Sequence, residues 1–379
     1  MKKILKIGIT LIFGILLFSN SKAINNYCLP SKEQSVSIKR GPIINPVTIS
    51  NPEQIFLNNA KTVSMEFNST RVFSFKAPST SLFVVETIGS CGTRLCVESN
   101  GLSRIFDGGL NKNGIDSKIQ FKVSTNAEVR IYVHLDEDRG LYCPPLRPTD
   151  PPCPYNKTFD VLVRKPVFNC FTVDYSSSNG INTISDATYP ISKLSSNFIC
   201  SNNINYNISL NGAKEALNKE VVLFSGHGSS SGVTFYDGMN GHHMGAGSSL
   251  DMSNTNVVFW SGCETALSSY DENGNYIPSF AEKVLSRGAK CSIGFEKTVD
   301  VVESRNFTND FFYKLSGGST VKQAIQYAKN HALFFSSVRS VKIFGDENIK
   351  IAGNSISNGY FETNITSPFN PGLIIPIGN

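Results

Sequence analysis

Two short apolar runs constrain the fold of this chain more than any other feature. Residues 221–224 and 257–260 are each followed at once by Ser-Gly and then by a chemically capable residue. That residue is His227 after the first run and Cys263 after the second. A short β-rich run that ends in small residues is typical of a buried strand entering a tight loop, and in open α/β sheets ligands bind beyond such strand ends. If the two strands are parallel neighbours, the imidazole and the thiol face one crevice.

Strand patterns and helical patterns alternate through residues 166–352. Strands are predicted at 171–175, 221–224, 257–260, 290–295 and 341–344, and helices at 186–198, 278–287, 304–315 and 320–334. Gly288 is placed to end the second helix. This alternation predicts an α/β domain with a mostly parallel sheet and flanking helices.

Residues 24–165 have a different character, with apolar residues in the two-residue period of strands. Phe73 and Phe75 share one face, and the pattern repeats through 119–123, 129–135 and 159–163, with turn signals between the runs. This spacing predicts an N-terminal all-β sandwich. The acidic run 136–138 is better explained as a solvated turn than as a metal site.

The first 23 residues have the pattern of a secretory signal peptide. Three lysines, at positions 2, 3 and 6, precede an apolar run at 7–18 that is too short to span a bilayer. Ser21 and Ala23 then provide the small residues three and one positions before a cleavage site that follows Ala23. Residues 1–23 contain four lysines and no acid, so without them the excess of 35 basic over 30 acidic residues falls from five to one. The basic charge therefore does not indicate a nucleic-acid partner. We expect a signal peptide at 1–23, the sandwich at 24–165, the α/β domain at 166–352, a tail at 353–379 and no transmembrane anchor.

Nine cysteines follow the signal segment, and an oxidising compartment favours their pairing. The spacing permits local disulfides within 91–96 and 143–153, a disulfide between Cys170 and Cys200, and, by elimination, one between Cys28 and Cys291. Cys263 is then the unpaired thiol. Five Asn-X-Ser/Thr sequons are candidate glycosylation sites, at Asn68, Asn156, Asn207, Asn306 and Asn364.

A thiol and an imidazole are the parts of a nucleophilic acyl-transfer site. The thiolate attacks, and a nearby imidazole takes the thiol proton or stabilises the anion. Gly228 has no side chain to block a substrate carbonyl, and its amide together with that of Cys263 can form an oxyanion hole. We expect His227, Cys263 and Gly228 to be the catalytic residues.

Each of these residues also has a structural explanation. A lone cysteine is usually a small core residue, and a histidine beside glycine is usually a turn residue. His242 and His243 lack the acidic or cysteine partners that a zinc site needs, so we expect no metal. Ser261 is not in a Gly-x-Ser-x-Gly elbow, which disfavours a serine hydrolase.

The two blocks VVLFSGHG at 221–228 and VVFWSGCETA at 257–266 resemble the signature blocks of the caspase-like clan of cysteine peptidases. The second block is most similar to the CHAT branch, and the resemblance covers roughly 166–351. The sandwich resembles the pre-peptidase C-terminal modules of secreted peptidases. The resemblance implies that His227 is the general base or the imidazolium partner of the thiolate and that Cys263 is the nucleophile. It also implies that the amides of Gly228 and Cys263 form the oxyanion hole.

The family often cuts after one charged or amide side chain, and no motif identifies the residue that lines the specificity pocket. The acidic candidates, which would favour Arg or Lys before the cut, are Asp174, Asp251, Glu264 and Asp271.

The sequence therefore predicts a secreted or lumenal cysteine endopeptidase that acts on proteins or peptides, with no cofactor, and leaves its oligomeric state open. Two alternatives remain. The domain can be an inactive caspase-like module for adhesion or recognition, or Cys263 can be a structural half-cystine, for instance with Cys291.

Overall fold

The computed structural model describes residues 52–66, 69–89, 93–99, 103–107, 117–135, 156–173, 182–204, 210–237, 240–332 and 337–351. Several predicted features lie outside these residues: the signal segment 1–23, the tail 353–379, the acidic turn 136–138, three sequons (Asn68, Asn207 and Asn364), Asp174, Cys28, Cys91, Cys143 and Cys153.

The N-terminal region is built from two packed sheets. Its strands are β1 Glu53–Gln54, β2 Lys61–Glu66, β3 Thr70–Lys76, β4 Ser81–Ile88, β5 Thr93–Ser99, β6 Ser103–Asp107, β7 Lys118–Val123, β8 Glu128–Leu135 and β9 Asn156–Arg164. The order is β1-β3-β8-β5-β6 in one sheet and β2-β9-β4-β7 in the other. The all-β character predicted for this region is confirmed.

The two-residue period places the apolar side chains of these strands in one core. In β7, Ile119, Phe121 and Val123 are buried while the residues between them are partly exposed. Phe73 and Phe75 of β3 are buried in the same core. Alternate burial of this kind is expected of strands with one face on a core.

The second region combines a six-stranded sheet with helices and small accessory sheets. Its strands are β10 Val167–Thr172, β11 Ile199–Ile204, β12 Val221–Ser225, β13 Gly228–Ser229, β14 Gly232–Asp237, β15 Asn240–Met244, β16 Val257–Ser261, β17 Ser269–Tyr270, β18 Tyr276–Ile277, β19 Cys291–Phe295 and β20 Val341–Gly345. Its helices are α1 Thr188–Leu194, α2 Leu210–Leu217, α3 Phe280–Lys283, α4 Val301–Ser316 and α5 Val321–His331, with 3-10 helices at Ile184–Ala187, Val284–Arg287 and Val338–Ser340.

The six-stranded sheet has the order β11-β10-β12-β16-β19-β20. Every pairing is parallel except that of β19 with β20, which is antiparallel. The accessory sheets are β13-β14-β15 and the hairpin β17-β18. The predicted α/β class is confirmed as a mixed α/β region with several sheets. The strands β11, β13 to β15, β17 and β18 and the helix α2 were not predicted.

Both faces of the six-stranded sheet are covered, as a largely buried sheet requires. One face packs against α1, α4 and α5, for example through Phe259 against Phe311. The other face packs against α2, α3 and β14, for example through Trp260 against Phe280. None of the helices in the described residues has both the length and the apolar character that a membrane crossing needs.

Local signals explain where the helices begin and end. Asp300 caps α4 by accepting from the amides of Val302 and Glu303, and Thr320 forms a capping box with Gln323 at the start of α5. Gly288 ends the 3-10 turn after α3 with φ of 108°, a left-handed conformation that glycine adopts without strain.

Two of the expected disulfides are wrong. Cys170, Cys200 and Cys291 are free thiols, so neither the Cys170–Cys200 bond nor the Cys28–Cys291 bond forms. In the β10–β11 register Phe168 pairs with Cys200, so Cys170 and Cys200 are diagonal neighbours. The residue opposite Cys170 is Asn202, so the two cysteines are not cross-strand partners. Cys96 does form a disulfide bond.

The two regions meet through the four-stranded sheet of the sandwich. Leu82 of β4 packs into the core of the six-stranded sheet, and the amide of Gln120 donates to the carbonyl of Ile351 at 2.9 Å. Glu220, the residue before β12, is buried and pairs with Lys118 and Arg164 of the sandwich. The strand that leads to His227 is therefore attached at its start to the sandwich.

Candidate active site

Strands β12 and β16 are parallel neighbours that end in register. Ser225 and Ser261 are partners in the last pair of this ladder. His227 and Cys263 each follow two residues later, so both emerge at the same edge of the sheet. The predicted parallel arrangement of the two runs is confirmed, and it brings the candidate base and nucleophile to adjacent loops.

The two loops touch through glycine backbone. The amide of Gly226 donates to the carbonyl of Ser261 at 3.3 Å. A β-carbon on Gly262 would lie 2.9 Å from the Gly226 carbonyl oxygen and 3.1 Å from the Gly228 nitrogen. Glycine is needed here because the backbones approach more closely than a side chain permits.

Gly228 is needed for a related reason. A β-carbon there would lie 2.5 Å from Cγ2 of Thr265 and 3.0 Å from the carbonyl oxygen of Cys263. The sequence suggested that glycine keeps a path open for a substrate carbonyl. The space that a β-carbon of Gly228 would occupy is filled by the Cys263 loop, so Gly228 also lets the two loops pack together.

Cys263 is a free, half-buried thiol. Its S–H donates towards the carbonyl of Val299, with 3.8 Å between Sγ and the oxygen. The Cys263–Cys291 disulfide that was an alternative does not form, since both are free. Cys291 opens β19 beside Val257, at the opposite end of the sheet from Cys263.

The other free cysteines in the described residues are poor nucleophiles. Burial raises the pKa of Cys170 well above its usual value, with Cys200 adding to the effect. Burial also raises the pKa of Cys200 to about 11 and shifts that of Cys291 upward. Because the thiolate is the reactive form, these three thiols are held in the inert state at neutral pH.

The residue after the candidate nucleophile has an unusual backbone conformation. Glu264 has φ of 58°, in the left-handed region that non-glycine residues seldom adopt. Its amide donates to the carbonyl of Lys297, and its carboxylate accepts from the hydroxyl of Thr298 at 3.2 Å. The segment 297–299 thus holds both Cys263 and Glu264.

His227 is exposed, and its carbonyl accepts from the amide of Thr234 at 3.0 Å. This bond ties the histidine loop to β14, whose Val233 and Phe235 are buried against the six-stranded sheet. The accessory sheet β13-β14-β15 therefore fixes the backbone of the loop that carries His227.

A buried acid lies at the end of β12, and its role was not predicted from the sequence. Asp186 accepts from the hydroxyl of Ser225 at 2.6 Å and from Nε of Arg305 at 2.5 Å. Burial raises the pKa of Asp186 above its ordinary value, while Arg305 and Ser225 act in the opposite direction. The last residue of β12, two before His227, is thereby fixed to α4.

The acidic candidates for the specificity pocket and the remaining histidines lie at different places in the fold. Asp251 accepts from Asn218 and caps its own turn before β16, at the amino ends of the strands and away from Cys263. Glu264 and Asp271 lie after β16, on the side of Cys263. His243 contacts the hydroxyl of Ser231 at 3.2 Å through Nε2. The described residues contain no group of three or more metal-ligating side chains.

Comparison with known proteins bears on this site directly. Residues 203–338, which include His227 and Cys263, match the family model described as the CHAT domain. The resemblance to the CHAT branch is confirmed. A search of the curated proteins finds no match to the chain.

Three similar solved structures are compared by how much of this chain they match: two of them match 48–49% of it, and the third matches 30% of it. The complex of Porphyromonas gingivalis RgpB pro- and mature domains is 16% identical over 49% of this chain and 48% of that chain, with a TM-score of 0.38. The Saccharomyces cerevisiae separase–securin complex is 13% identical over 48% and 12%, with a TM-score of 0.32. The pre-peptidase C-terminal domain of a collagenase from Bacillus anthracis is 16% identical over 30% and 94%, with a TM-score of 0.22. The chain thus spans about half of the RgpB chain and a small part of the separase chain.

Proposed function

We propose that the chain is a cysteine endopeptidase that hydrolyses peptide bonds through Cys263 and His227. The observation that carries the proposal is the register of β12 and β16, which end together at Ser225 and Ser261 and place both residues in touching loops. The CHAT match over the same segment agrees with this assignment.

The chemistry follows from the two groups. His227 takes the proton of the Cys263 thiol, and the thiolate attacks the carbonyl carbon of the scissile peptide. The amides of Gly228 and Cys263 would donate to the oxyanion as it forms. His227 then gives its proton to the leaving amine, the C–N bond breaks, and water hydrolyses the thioester to release the acid.

Cys263 is the free thiol that fits this role best. It is partly accessible, whereas Cys170 and Cys291 are buried. Cys200 is also partly accessible, but its pKa is raised by burial to about 11. Cys200 is therefore the natural control for any reagent that reports on an activated thiol.

The first test is labelling with a substoichiometric iodoacetamide probe at pH 7. We expect Cys263→Ala to lose the labelling and Cys200→Ala to keep it. His227→Ala should slow the labelling of Cys263, because the histidine no longer withdraws its proton. Labelling that persists in Cys263→Ala would contradict the assignment of the nucleophile.

The second test is a cleavage screen over peptides that vary the residue before the scissile bond. Wild type should cleave a subset of them, and His227→Ala and Cys263→Ala should not. Equal activity of wild type and His227→Ala would remove the dyad from the mechanism. A folded wild-type protein that cleaves nothing would favour the alternative, an inactive caspase-like recognition module.

We also propose that the protein is secreted or lumenal. The signal-like pattern of residues 1–23 and the disulfide bond of Cys96 support this, since disulfides persist in oxidising compartments. N-terminal sequencing of the protein recovered from the medium of expressing eukaryotic cells should give a chain that begins near Ile24. Retention inside the cell with an uncleaved N-terminus would contradict secretion.

A further inference from the structure

A hairpin that follows the candidate nucleophile, together with the residue Leu267 just before it, carries several exposed apolar side chains. Leu267, Tyr270, Tyr276 and Ile277 are 38%, 71%, 49% and 39% exposed. They are four of the nine large hydrophobic residues that are exposed in the described part of the chain. Tyr270 and Tyr276 are opposite each other on one face of the hairpin, whereas Ile277 is opposite Ser269 on the other face. Single exposed apolar residues are ordinary, whereas an exposed pair of aromatic rings in contact is a candidate interaction surface.

The hairpin is rigid in its own right. Tyr270 and Tyr276 are cross-strand partners, and their rings meet edge to face with centroids 5.7 Å apart. At the tip, the carboxylate of Asp271 accepts from the amides of Asn273 and Asn275. The hydroxyl of Tyr276 donates to the carboxylate of Glu282 at 2.6 Å, and this bond attaches the hairpin to α3. A surface fixed in this way loses little entropy when it binds a ligand.

The base of the hairpin is joined to both candidate loops. The amide of Ala281 donates to the carbonyl of Thr265 in the Cys263 loop, and the amide of Phe280 donates to the carbonyl of Ser230 beyond His227. The amide of Leu267 donates to the carbonyl of Glu264. Tyr270 is three residues from Leu267, a reach of at most about 11 Å.

The segment that contains the hairpin is mostly acidic. Residues 264–283 contain four carboxylates, those of Glu264, Asp271, Glu272 and Glu282, and a single cation, Lys283. An acidic rim around aromatic side chains complements a ligand that is both apolar and basic. The strands β17 and β18 pair only with each other in the described sheets, so an extended segment can lie along the hairpin.

We propose that the hairpin β17–β18 is a docking surface for the polypeptide substrate and selects segments that carry a bulky apolar side chain beside basic residues. The proposal rests on the proposed peptidase function for the identity of the occupant. Tyr270 is seven residues from Cys263, a reach of at most about 25 Å. An extended peptide covers about 3.3 Å per residue, so the selected side chain lies within about eight residues of the scissile bond. The hairpin thus adds selectivity on the apolar and basic character of the segment around the cut.

The test uses the Cys263→Ala protein and three fluorescein-labelled decapeptides in a Gly/Ser background. One contains a Phe and two Lys, the second a Phe and two Glu, and the third two Lys with Ser in place of Phe. We expect fluorescence anisotropy to show the Phe/Lys peptide binding at least about fivefold more tightly than the other two, which corresponds to about 1 kcal/mol.

Tyr270→Ser, made in the Cys263→Ala protein, should abolish that preference. The matched control is Tyr313→Ser, which removes a tyrosine that is 46% exposed near the far end of α4. This control should leave the preference unchanged. Equal affinity for the three peptides, or a preference that survives Tyr270→Ser, would overturn the proposal.

Two further measurements separate the docking surface from the proposed peptidase function and from self-association of the chain. If wild type cleaves no peptide while binding still depends on Tyr270, the peptidase function fails and the docking surface stands. If wild type cleaves the three peptides equally and binds them equally, the function stands and the docking surface fails. Sedimentation velocity that shows a wild-type dimer dissociated by Tyr270→Ser would assign the hairpin to a second copy of the chain and overturn the proposal.

Discussion

Glu220 accepts a bidentate pair of hydrogen bonds from Arg164, at 2.6 and 3.2 Å, and so joins the start of β12 to the end of β9. The Glu220 side chain is 1% exposed, and it also accepts from Lys118 and from the amide of Val167 at 2.7 Å. Every lone pair of this buried carboxylate has a donor in reach. The strand that delivers His227 therefore begins at a charged contact between the sandwich and the α/β region.

Glu220→Gln should destabilise the protein strongly. The substitution keeps the shape but removes the anion that Arg164 and Lys118 share, and Arg164 keeps its second carboxylate partner, Glu86. Breaking a buried pair of this kind costs about 3 kcal/mol. The matched control is Glu347→Gln, since Glu347 pairs with Lys322 at an exposed site and such pairs contribute about 0–1 kcal/mol. Urea denaturation of both variants measures the two costs. Similar losses in the two variants would contradict a special role for Glu220.

The same carboxylate predicts an acid-sensitive contact. Burial raises the pKa of Glu220, but Lys118 and Arg164 outweigh that effect and lower the pKa to about 2. A carboxylate with a lowered pKa stabilises the fold fully above its unfolded value near 4.5, and the stabilisation is lost as the pH falls towards 2. The free energy of unfolding of wild type should therefore drop more between pH 5 and about 2.5 than that of Glu220→Gln. If the free energy of unfolding changed with pH in the same way for both proteins, a group other than Glu220 would control the loss of stability in acid.

The sequence predicted the centre of this fold because its signals are local. The runs at 221–224 and 257–260 are apolar throughout, as strands buried on both faces must be, and each ends in Ser-Gly. The parallel pairing of β12 with β16 was expected from the alternation of strands and helices through the region as a whole. The α4 and α5 helices were predicted for the same reason, since their apolar residues repeat on one face within a few turns.

What the sequence did not reveal depends on contacts between distant residues. Arg164 and Glu220 are 56 residues apart, and Asp186 and Arg305 are 119 residues apart, so no spacing rule connects them. The hairpin β17–β18 was missed because each strand has two residues, too few to show a period. The Cys170–Cys200 error has the same origin, because spacing along the chain does not fix the register of neighbouring strands. The Cys28–Cys291 pairing was reached by elimination and had no structural basis.

Gly228→Ala should impair both stability and the proposed activity. Its new methyl group would lie 2.5 Å from Thr265 and 3.0 Å from the Cys263 carbonyl, so the two loops must separate. Overpacking of this kind costs about 1–3 kcal/mol. Gly247→Ala is the matched control, because a β-carbon there meets nothing within 4 Å. Thermal denaturation and the iodoacetamide labelling rate of Cys263 should change in the first variant alone.

Glu264 provides a test of backbone strain beside the candidate nucleophile. Its φ of 58° disfavours any residue with a β-carbon, and the other non-glycine residues with positive φ in the described chain are asparagines, which tolerate it better. Glu264→Gly and Glu264→Ala both lose the bond from Thr298, but only the glycine variant relieves the strain. We expect Glu264→Gly to be more stable than Glu264→Ala by about 1 kcal/mol in urea denaturation.

The control pair for that comparison is Gln326→Gly and Gln326→Ala at an exposed position inside α5. There the order should reverse, with alanine more stable by about 0.5–1 kcal/mol, because glycine loses more conformational entropy in a helix. The same order at both positions would show that the backbone at Glu264 is unstrained. If the order reverses as expected, the iodoacetamide labelling rate of Cys263 in Glu264→Gly then reports whether the strained turn also orients the thiol.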